Sequence, residues 1–194
     1  LPIFDKPMIY YSLSILLLSK VRKINLICDR NSVDDYKDLL GNGEEFGIEL
    51  IYSIQDSPEG LPHAIYTGLQ ECPMEKFMVV LGDNFLYGRE FFNNFDNNEF
   101  NENNYLFYQK VKDPSDFGIL ELDSSGELIR LIEKPKEYVS NFVAVGVYIF
   151  DSNFSKYFSN IKKSDRGEYE IIDVINQYIL EKNIKSFYLG RGMS

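Results

Sequence analysis

The residue best placed to do chemistry in this sequence is an aspartate that follows a continuous apolar run. Residues 77–81 are apolar, and Gly82 and Asp83 come directly after them, which is the pattern of a strand buried on both faces. A carboxylate at the carboxyl end of such a strand lies where open α/β sheets bind ligands. Its oxygens suit Mg²⁺, which takes one or two protein carboxylates and fills its shell with waters and phosphates. The alternative is a plain turn, because glycine, aspartate and asparagine all favour turns.

A second candidate is the loop from Gln55 to Gly60, which lies between a predicted strand and a predicted helix. Gln55 carries an amide that both donates and accepts hydrogen bonds, which suits the edge of a nucleobase. Gly60 would let the backbone approach a ligand closely. A plain loop with a helix cap is the alternative. His63, the only histidine, is interpreted as a packed or pocket-lining group rather than a catalyst.

Charged residues form two further candidates. Glu133 can accept hydrogen bonds from sugar hydroxyls, and the neighbouring Lys134 can neutralise a phosphate as a point charge, although a surface ion pair is the alternative. Arg166 precedes a long predicted helix. The helix dipole explains the nearby Glu168 and Glu170, but it does not explain Arg166, for which phosphate binding is a fair role.

The elements that must position these residues alternate between helices and strands. Helices are predicted to begin at Pro7, near Ser32, at Leu61 and at about residue 169, and the strands are predicted at 23–28, 48–54, 77–81, 105–111, 117–122, 127–132, 142–150 and 184–189. The asparagine-rich residues 93–104 are predicted to be polar surface. The pattern indicates an α/β fold: a Rossmann-like mixed, mostly parallel sheet with flanking helices and antiparallel additions.

Residues 1–194 are predicted to form a single domain, because their number suits one core and no linker or internal repeat is visible. A doubly wound sheet normally places its first strand and phosphate-binding turn before its first helix. This chain opens just before a helix, so we expect that strand and loop to be absent and the domain to be truncated at both ends.

Composition narrows the choice of partners. The formal net charge of −10 argues against nucleic acid as a partner, while small phosphorylated ligands need only a few local cations and backbone N–H groups. Cys28 and Cys72 lie far apart without a metal-binding spacing, which favours free thiols over a zinc site. Apolar stretches are short and no signal peptide is visible, so we expect a cytoplasmic protein that does not bind membranes.

Taken together, these segments are more specific than any one of them. The motifs that occur in one order along the chain are residues 5–14 (DKPMIYYSLS), Gln55 with Gly60-Leu61, residues 81–84 (LGDN), Phe117-Gly118, residues 133–135 (EKP), residues 145–148 (VGVY) and residues 166–171 (RGEYEI). Their order and spacing resemble the glucose-1-phosphate thymidylyltransferase family of sugar nucleotidylyltransferases, also called dTDP-glucose pyrophosphorylases. The first motif is the most specific.

The resemblance implies a role for each candidate. Asp83 would be a Mg²⁺ ligand, and Asp83, Lys134 and Arg166 would form the catalytic set. The nucleotide-binding residues would be Gln55, Gly60, Leu61 and Asp83, with the thymine base held by Gln55 and Gly60. The residues that bind the sugar phosphate would be Gly118, Glu133, Lys134, Gly146 and Arg166.

The implied reaction is Mg²⁺-dependent transfer of a nucleotidyl group from dTTP to glucose 1-phosphate. It would give dTDP-glucose and pyrophosphate, for the synthesis of dTDP-rhamnose or a related deoxysugar of cell-surface polysaccharide. Family members are commonly homotetramers. The family's G-G-x-G-T-R loop and W-x-D motif are absent from residues 1–194, so we expect this chain alone to be inactive.

Three departures from the family pattern leave alternatives open. Asp56, Pro62-His63 and Ile172 stand where the family usually has proline, alanine-glutamine and threonine. The first two lie near the expected base and sugar. Another sugar-1-phosphate nucleotidylyltransferase, using UTP or a different sugar, is therefore an alternative, as is a non-catalytic regulatory subunit. A glycosyltransferase is a third interpretation, although the D-x-D motif typical of those enzymes is absent.

Overall fold

The computed structural model describes residues 2–3, 5–86, 91–92, 99–135 and 137–190. Its strands are β1 (Pro2–Ile3), β2 (Lys6–Pro7), β3 (Lys23–Cys28), β4 (Glu49–Ile54), β5 (Lys76–Val80), β6 (Tyr105–Lys110), β7 (Gly118–Leu122), β8 (Leu128–Glu133), β9 (Phe142–Asp151) and β10 (Lys185–Tyr188). Its helices are α1 (Ile9–Leu18), α2 (Val33–Leu40), α3 (Leu61–Glu71), α4 (Glu99–Glu102), α5 (Phe154–Phe158) and α6 (Ile171–Leu180), with a 3₁₀ turn at Glu44–Phe46. Within these residues, no helix combines the length and apolar character needed to cross a membrane.

The strand β9 is the centre of the larger sheet. Strands β6, β5 and β7 all pair with it antiparallel, β8 pairs with β7, and β10 extends the sheet by pairing parallel with β6. Strands β3 and β4 form a separate parallel pair, and β1 pairs with β2. The predicted mixed α/β fold with flanking helices is confirmed.

The sheets lean further towards antiparallel pairing than the mostly parallel arrangement we expected. The parallel pairs in the described residues are β3–β4, which α2 and the 3₁₀ turn connect, and β6–β10, which are separated along the chain by β7, β8, β9 and two helices. The pair β7–β8 instead closes through a tight turn in which Asp123 N donates to Glu127 O at 2.9 Å. A tight turn can join only antiparallel strands, whereas parallel strands need a long crossover.

An apolar cavity of about 570 Å³ lies between β3 and β5. Among the described strands, β3 pairs with β4 alone and β5 with β9 alone, so each has a free edge towards this cavity. Side chains of both strands line it, including those of Ile27 and Val80. The expectation that a further strand belongs to this domain stays a prediction.

Alternate side chains of β9 enter two different cores. Val145, Val147 and Ile149 pack in a cluster with α1 and the aromatic side chains of β6, while Tyr148 and Phe150 pack in a second cluster with α3, α5 and α6. This period of two is what a strand covered on both faces requires. It fixes the direction of every residue of β9, including those at the candidate site.

Two sequence expectations were wrong. Pro7 does not begin a helix, because Lys6–Pro7 pairs with Pro2–Ile3 and α1 starts at Ile9. Residues 93–104 are not simply polar surface: 93–98 lie outside the described residues, but Phe100 and Asn104 are buried. Asn104 tolerates burial because its amide donates to Asp151 Oδ2 and to the Asn183 carbonyl oxygen.

Candidate functional site

The turn that carries Asp83 follows β5, as the apolar run predicted. Asp83 is exposed. Its turn is held by Asn84 N donating to Leu81 O at 3.2 Å and by Ser12 Oγ donating to the same oxygen at 3.0 Å. The second bond ties the turn to α1, so the carboxylate is presented from a supported backbone.

Gly146 of β9 lies directly against this turn. Leu81 N donates to Gly146 O at 2.9 Å, and Asn84 Nδ2 donates to the same oxygen at 3.3 Å. A Cβ atom at position 146 would overlap the side chains of Asn84 and Leu81. The predicted glucose-pocket residue therefore lies against the turn that carries the predicted metal ligand, an approach that only glycine permits.

The chemistry of Asp83 fits a magnesium ion held jointly with a substrate. In the part of the chain that the structure describes, no group of three or more His, Cys, Asp or Glu residues could hold a metal alone. An exposed single carboxylate suits Mg²⁺, which commonly uses one or two protein ligands together with phosphate oxygens and water. The metal assignment stays a prediction.

Gly118, Glu133 and Arg166, all predicted to bind the sugar phosphate, come together. Gly118 of β7 is the register partner of Glu133 of β8. Arg166 Nη2 lies 3.5 Å from Glu133 Oε1. A Cβ atom on Gly118 would lie 2.8 Å from Ile172 Cδ1 and 3.8 Å from Glu133 Oε2, so the small residue keeps α6 close and leaves space beside the carboxylate.

Arg166 is bound most tightly by Glu170. Its Nη2 donates to both carboxylate oxygens of Glu170 at 2.9 Å, and Ser164 Oγ donates to one of them at 2.7 Å. The hydrogen bond to Glu170, followed by its charge, raises the pKa of Arg166. Glu170 thus does more than favour the helix dipole, because it holds the guanidinium beside Glu133.

Lys134 does not form the surface ion pair that the neighbouring Glu133 suggested as an alternative. Glu133 pairs with Arg166 rather than with Lys134, and no ion pair within the described ranges involves Lys134. Its backbone has φ +39°, a left-handed conformation that is uncommon for a residue with a side chain. An exposed ammonium on a constrained backbone is available to a phosphate.

The carboxylates around Arg166 give this side of the site an excess of negative charge. Burial, and then the charge of Glu133, raises the pKa of Tyr148. Burial, and then the charge of Glu170, raises the pKa of Asp173. Lys134 and Arg166 are the cations beside these carboxylates, and their binding of a phosphate stays a prediction.

The loop after β4 folds back on itself. Gln55 N donates to Cys28 O at 2.9 Å, and its side-chain Nε2 lies 3.3 Å from Gly60 O and 3.0 Å from His63 Nδ1. Asp56, one departure from the family pattern, binds Arg30 through two hydrogen bonds of 3.0 and 2.7 Å in an exposed ion pair.

Gly60 joins this loop to the segment that carries Arg166. Its φ is +94°, and a Cβ atom there would overlap the carbonyl oxygen of Tyr169. Tyr169 N donates to Glu59 O at 2.9 Å, and Lys163 Nζ lies 2.8 Å from Glu59 Oε2. Leu61 begins α3 and packs against the core cluster of α5 and α6. Its contact with a base stays a prediction.

Sequence reasoning missed the role of three residues in holding the candidates in place. These residues are His63, Tyr169 and Glu170. The four-residue spacing of Arg166 and Glu170 could have indicated an ion pair. Nothing local connects Tyr169 with Gly60, because that contact joins segments more than a hundred residues apart.

Comparison with known proteins defines the class first. A family model described as nucleotidyl transferase matches residues 1–193. A solved structure of UDP-glucose pyrophosphorylase with UDP-glucose has the same fold, with a TM-score of 0.83 and 22% identity over 97% of this chain and 80% of that one.

More similar proteins narrow the class. The glucose-1-phosphate thymidylyltransferase of Neisseria meningitidis is 34% identical over all of this chain and 68% of its own length. The enzyme of that name from Mycolicibacterium smegmatis is 34% identical over 99% of this chain and 67% of its own. A Bacillus anthracis structure described as a glucose-1-phosphate thymidylyltransferase has a TM-score of 0.86 and 30% identity over 98% and 77%. The chain belongs to the glucose-1-phosphate thymidylyltransferase family of nucleotidyl transferases.

Proposed function

We propose that the protein containing this chain transfers a thymidylyl group from dTTP to glucose 1-phosphate, with dTDP-glucose and pyrophosphate as products. One observation carries the proposal: Gly60 is in contact with Tyr169. This contact joins the loop suited to a nucleobase to the segment that carries Arg166, whose guanidinium lies 3.5 Å from Glu133 Oε1. The contact supports a single site in which groups for a base and for a sugar phosphate lie close together, as a reaction between two such substrates requires.

The reaction needs alignment more than proton transfer. A phosphate oxygen of glucose 1-phosphate attacks the α-phosphorus of dTTP, a new P–O bond forms, and the bond to pyrophosphate breaks. The attacking oxygen is already an anion, so no general base is required. The residues of the site must hold the two negatively charged substrates in line and offset their negative charge.

The chain's residues divide this work between them. Gln55 and Gly60 orient the base, while Glu133 accepts hydrogen bonds from the sugar hydroxyls beside Gly118 and Gly146. Lys134 and Arg166 bind the sugar phosphate and reduce the repulsion between the substrates. Asp83 would hold Mg²⁺, which when bound supplies positive charge at the nucleotide phosphates.

The full-length protein tests the proposal directly. Pyrophosphate release is measured for dTTP and UTP, each with a panel of sugar 1-phosphates, and dTTP with glucose 1-phosphate should give the highest kcat/KM. A higher kcat/KM for another pair would show that dTTP and glucose 1-phosphate are not the preferred substrates. No release with any pair would favour the regulatory subunit.

The role of Asp83 has its own test. Asp83→Ala should lower turnover at least about 100-fold, the scale of losing one electrostatic contact to the transition state. Glu49→Ala is the matched control, because it removes an exposed carboxylate that is paired with Lys23 at the opposite end of β4 from Gln55, and it should leave turnover within about twofold. Near-normal Mg²⁺-dependent turnover in Asp83→Ala would refute the metal assignment.

A further inference from the structure

The amide of Gln55 is held in one orientation. Its Nε2 faces the Gly60 carbonyl oxygen at 3.3 Å and His63 Nδ1 at 3.0 Å. A carbonyl oxygen can only accept a hydrogen bond, so the nitrogen of the amide, and not its oxygen, must face Gly60. Both amide N–H groups then have partners within the protein, and Oε1, which has no hydrogen-bond partner among the described residues, is the atom left for a ligand.

The same contact determines which nitrogen of His63 carries the proton. Because Nδ1 faces an N–H donor of Gln55, Nδ1 must accept, and the neutral ring then carries its proton on Nε2. A ring protonated on Nδ1 would set two donors against each other. The tautomer of the His63 ring and the orientation of the Gln55 amide are therefore linked.

Aromatic packing keeps the His63 ring in place. The ring lies in the first turn of α3, nearly parallel to Tyr169 with centroids 6.4 Å apart and 18° between the planes, and its centroid is also 6.4 Å from that of Phe158. Tyr169 is the residue whose backbone contacts Gly60. One residue thus supports both the acceptor and the loop that carries Gln55.

We propose that His63 is a positioning residue that presents the oxygen of Gln55 to the nucleobase and so selects a base with a ring N–H donor. This inference rests on the proposed function, in which Gln55 contacts the base. Thymine and uracil carry an imide N3–H that an amide oxygen accepts. Cytosine has an unprotonated N3 at that position, which would place two acceptors against each other. His63 stands where the family usually has glutamine, whose side-chain oxygen is also a hydrogen-bond acceptor.

A spectroscopic measurement tests the geometry without relying on activity. His63 is the only histidine in the chain, so the ring resonances of protein labelled with ¹⁵N-histidine and lacking any affinity tag report on it alone. At about pH 8, where histidine is ordinarily neutral, we expect Nε2 protonated and Nδ1 in the range of a hydrogen-bond acceptor. Gln55→Leu should shift the Nδ1 resonance towards that of a free ring nitrogen. A ring protonated on Nδ1 in the wild-type protein would overturn the inference.

Two substitutions then separate the acceptor from the packing in the full-length enzyme. His63→Phe keeps an aromatic ring without an acceptor, and it should raise KM for dTTP roughly tenfold, on the scale of one lost hydrogen bond, with kcat and KM for glucose 1-phosphate nearly unchanged. The preference for dTTP over dCTP should fall by a similar factor. His63→Gln keeps an acceptor without the ring and should restore both values.

The outcomes distinguish this inference from the proposed function. If the wild-type enzyme uses dTTP but His63→Phe keeps its KM and its preference over dCTP, the inference fails and the proposed function stands. If His63→Phe performs well and His63→Gln poorly, the ring acts by packing, and the inference also fails. If the wild-type enzyme uses neither pyrimidine nucleotide, the proposed function fails and the selection of a base fails with it.

Discussion

The two sides of the candidate site are held together in different ways. The base side, which comprises the Gln55–Gly60 loop with His63 and Tyr169, depends on close backbone contact and on hydrogen bonds of fixed direction. The charged side, which comprises Gly118, Glu133, Arg166 and Glu170, depends on ion pairs between partly exposed groups, with Arg166 53% and Glu133 35% exposed.

The difference matters because the two kinds of contact respond differently to change. Exposed ion pairs contribute little to stability and are screened by salt, whereas an overlap with backbone atoms cannot be relieved by a side-chain rotation. We therefore expect the base side to be sensitive to the shape of single residues. On the charged side, a change of charge should weaken substrate binding but should have little effect on the free energy of unfolding.

The largest effect on stability should come from Gly60→Ala. The new Cβ would overlap the Tyr169 carbonyl oxygen at φ +94°, and we expect the free energy of unfolding in urea to fall by about 2 to 3 kcal/mol. Gly126→Ala is the matched control, because Gly126 has φ +87° but nothing within 4 Å of its Cβ position. It should lose only about 1 kcal/mol. Equal losses in the two variants would show that the overlap with Tyr169 adds nothing to the cost of alanine at a positive φ. That result would contradict the expected sensitivity of the base side to shape.

Arg166→Ala should change binding rather than stability. Losing a charged hydrogen-bond donor should raise KM for glucose 1-phosphate roughly tenfold, while the unfolding midpoint in urea stays close to that of the wild type. The control is Arg130→Ala, which removes a guanidinium paired with Glu121 at 2.6 Å with 61% of its side chain exposed. A similar rise in KM for Arg130→Ala would indicate a general charge effect and contradict a specific role for Arg166.

The smallest effect on stability should come from removing the ion pair between Glu59 and Lys163. This pair is the exposed part of the base side. The hydrogen bond from Lys163 lowers the pKa of Glu59. A carboxyl whose pKa is lower in the folded protein stabilises the fold above its unfolded pKa, and this contribution is lost as the pH falls through the folded value.

Thermal unfolding of the wild type and of Glu59→Gln measures that contribution. The wild type should be slightly more stable at about pH 6, and the difference should shrink towards about pH 3 as the carboxyl gains a proton. A difference that grows on acidification would show the opposite linkage. A difference comparable to that of Gly60→Ala would show that charge, and not shape, holds the base side.

Much of the candidate site follows from local signals. The apolar run before Asp83 predicted a carboxylate at a strand end, and residues 124–126 (SSG), which favour a tight turn, lie between the two strands that set Gly118 opposite Glu133. These inferences succeeded because a strand end and a tight turn involve residues that are close in the chain. The alternative of a surface ion pair at Glu133 and Lys134 needed the tertiary structure to decide it, because Arg166 reaches Glu133 from a distant segment.

The sequence by itself determined the order of helices and strands, the ends at which the candidates lie, and the family, through motifs spread along the whole chain. Only the tertiary structure decided that Gly60 meets Tyr169, that Glu170 holds Arg166, and that His63 orients Gln55. The physical reason is the range of the forces involved. Periodicity and turn preference act over a few residues, whereas these contacts arise from packing between α3, the residues before α6 and the sheet. Asp83 remains the residue with the clearest signal in the sequence, and the structure adds Gly146, whose carbonyl oxygen accepts hydrogen bonds from Leu81 and Asn84 of the same turn.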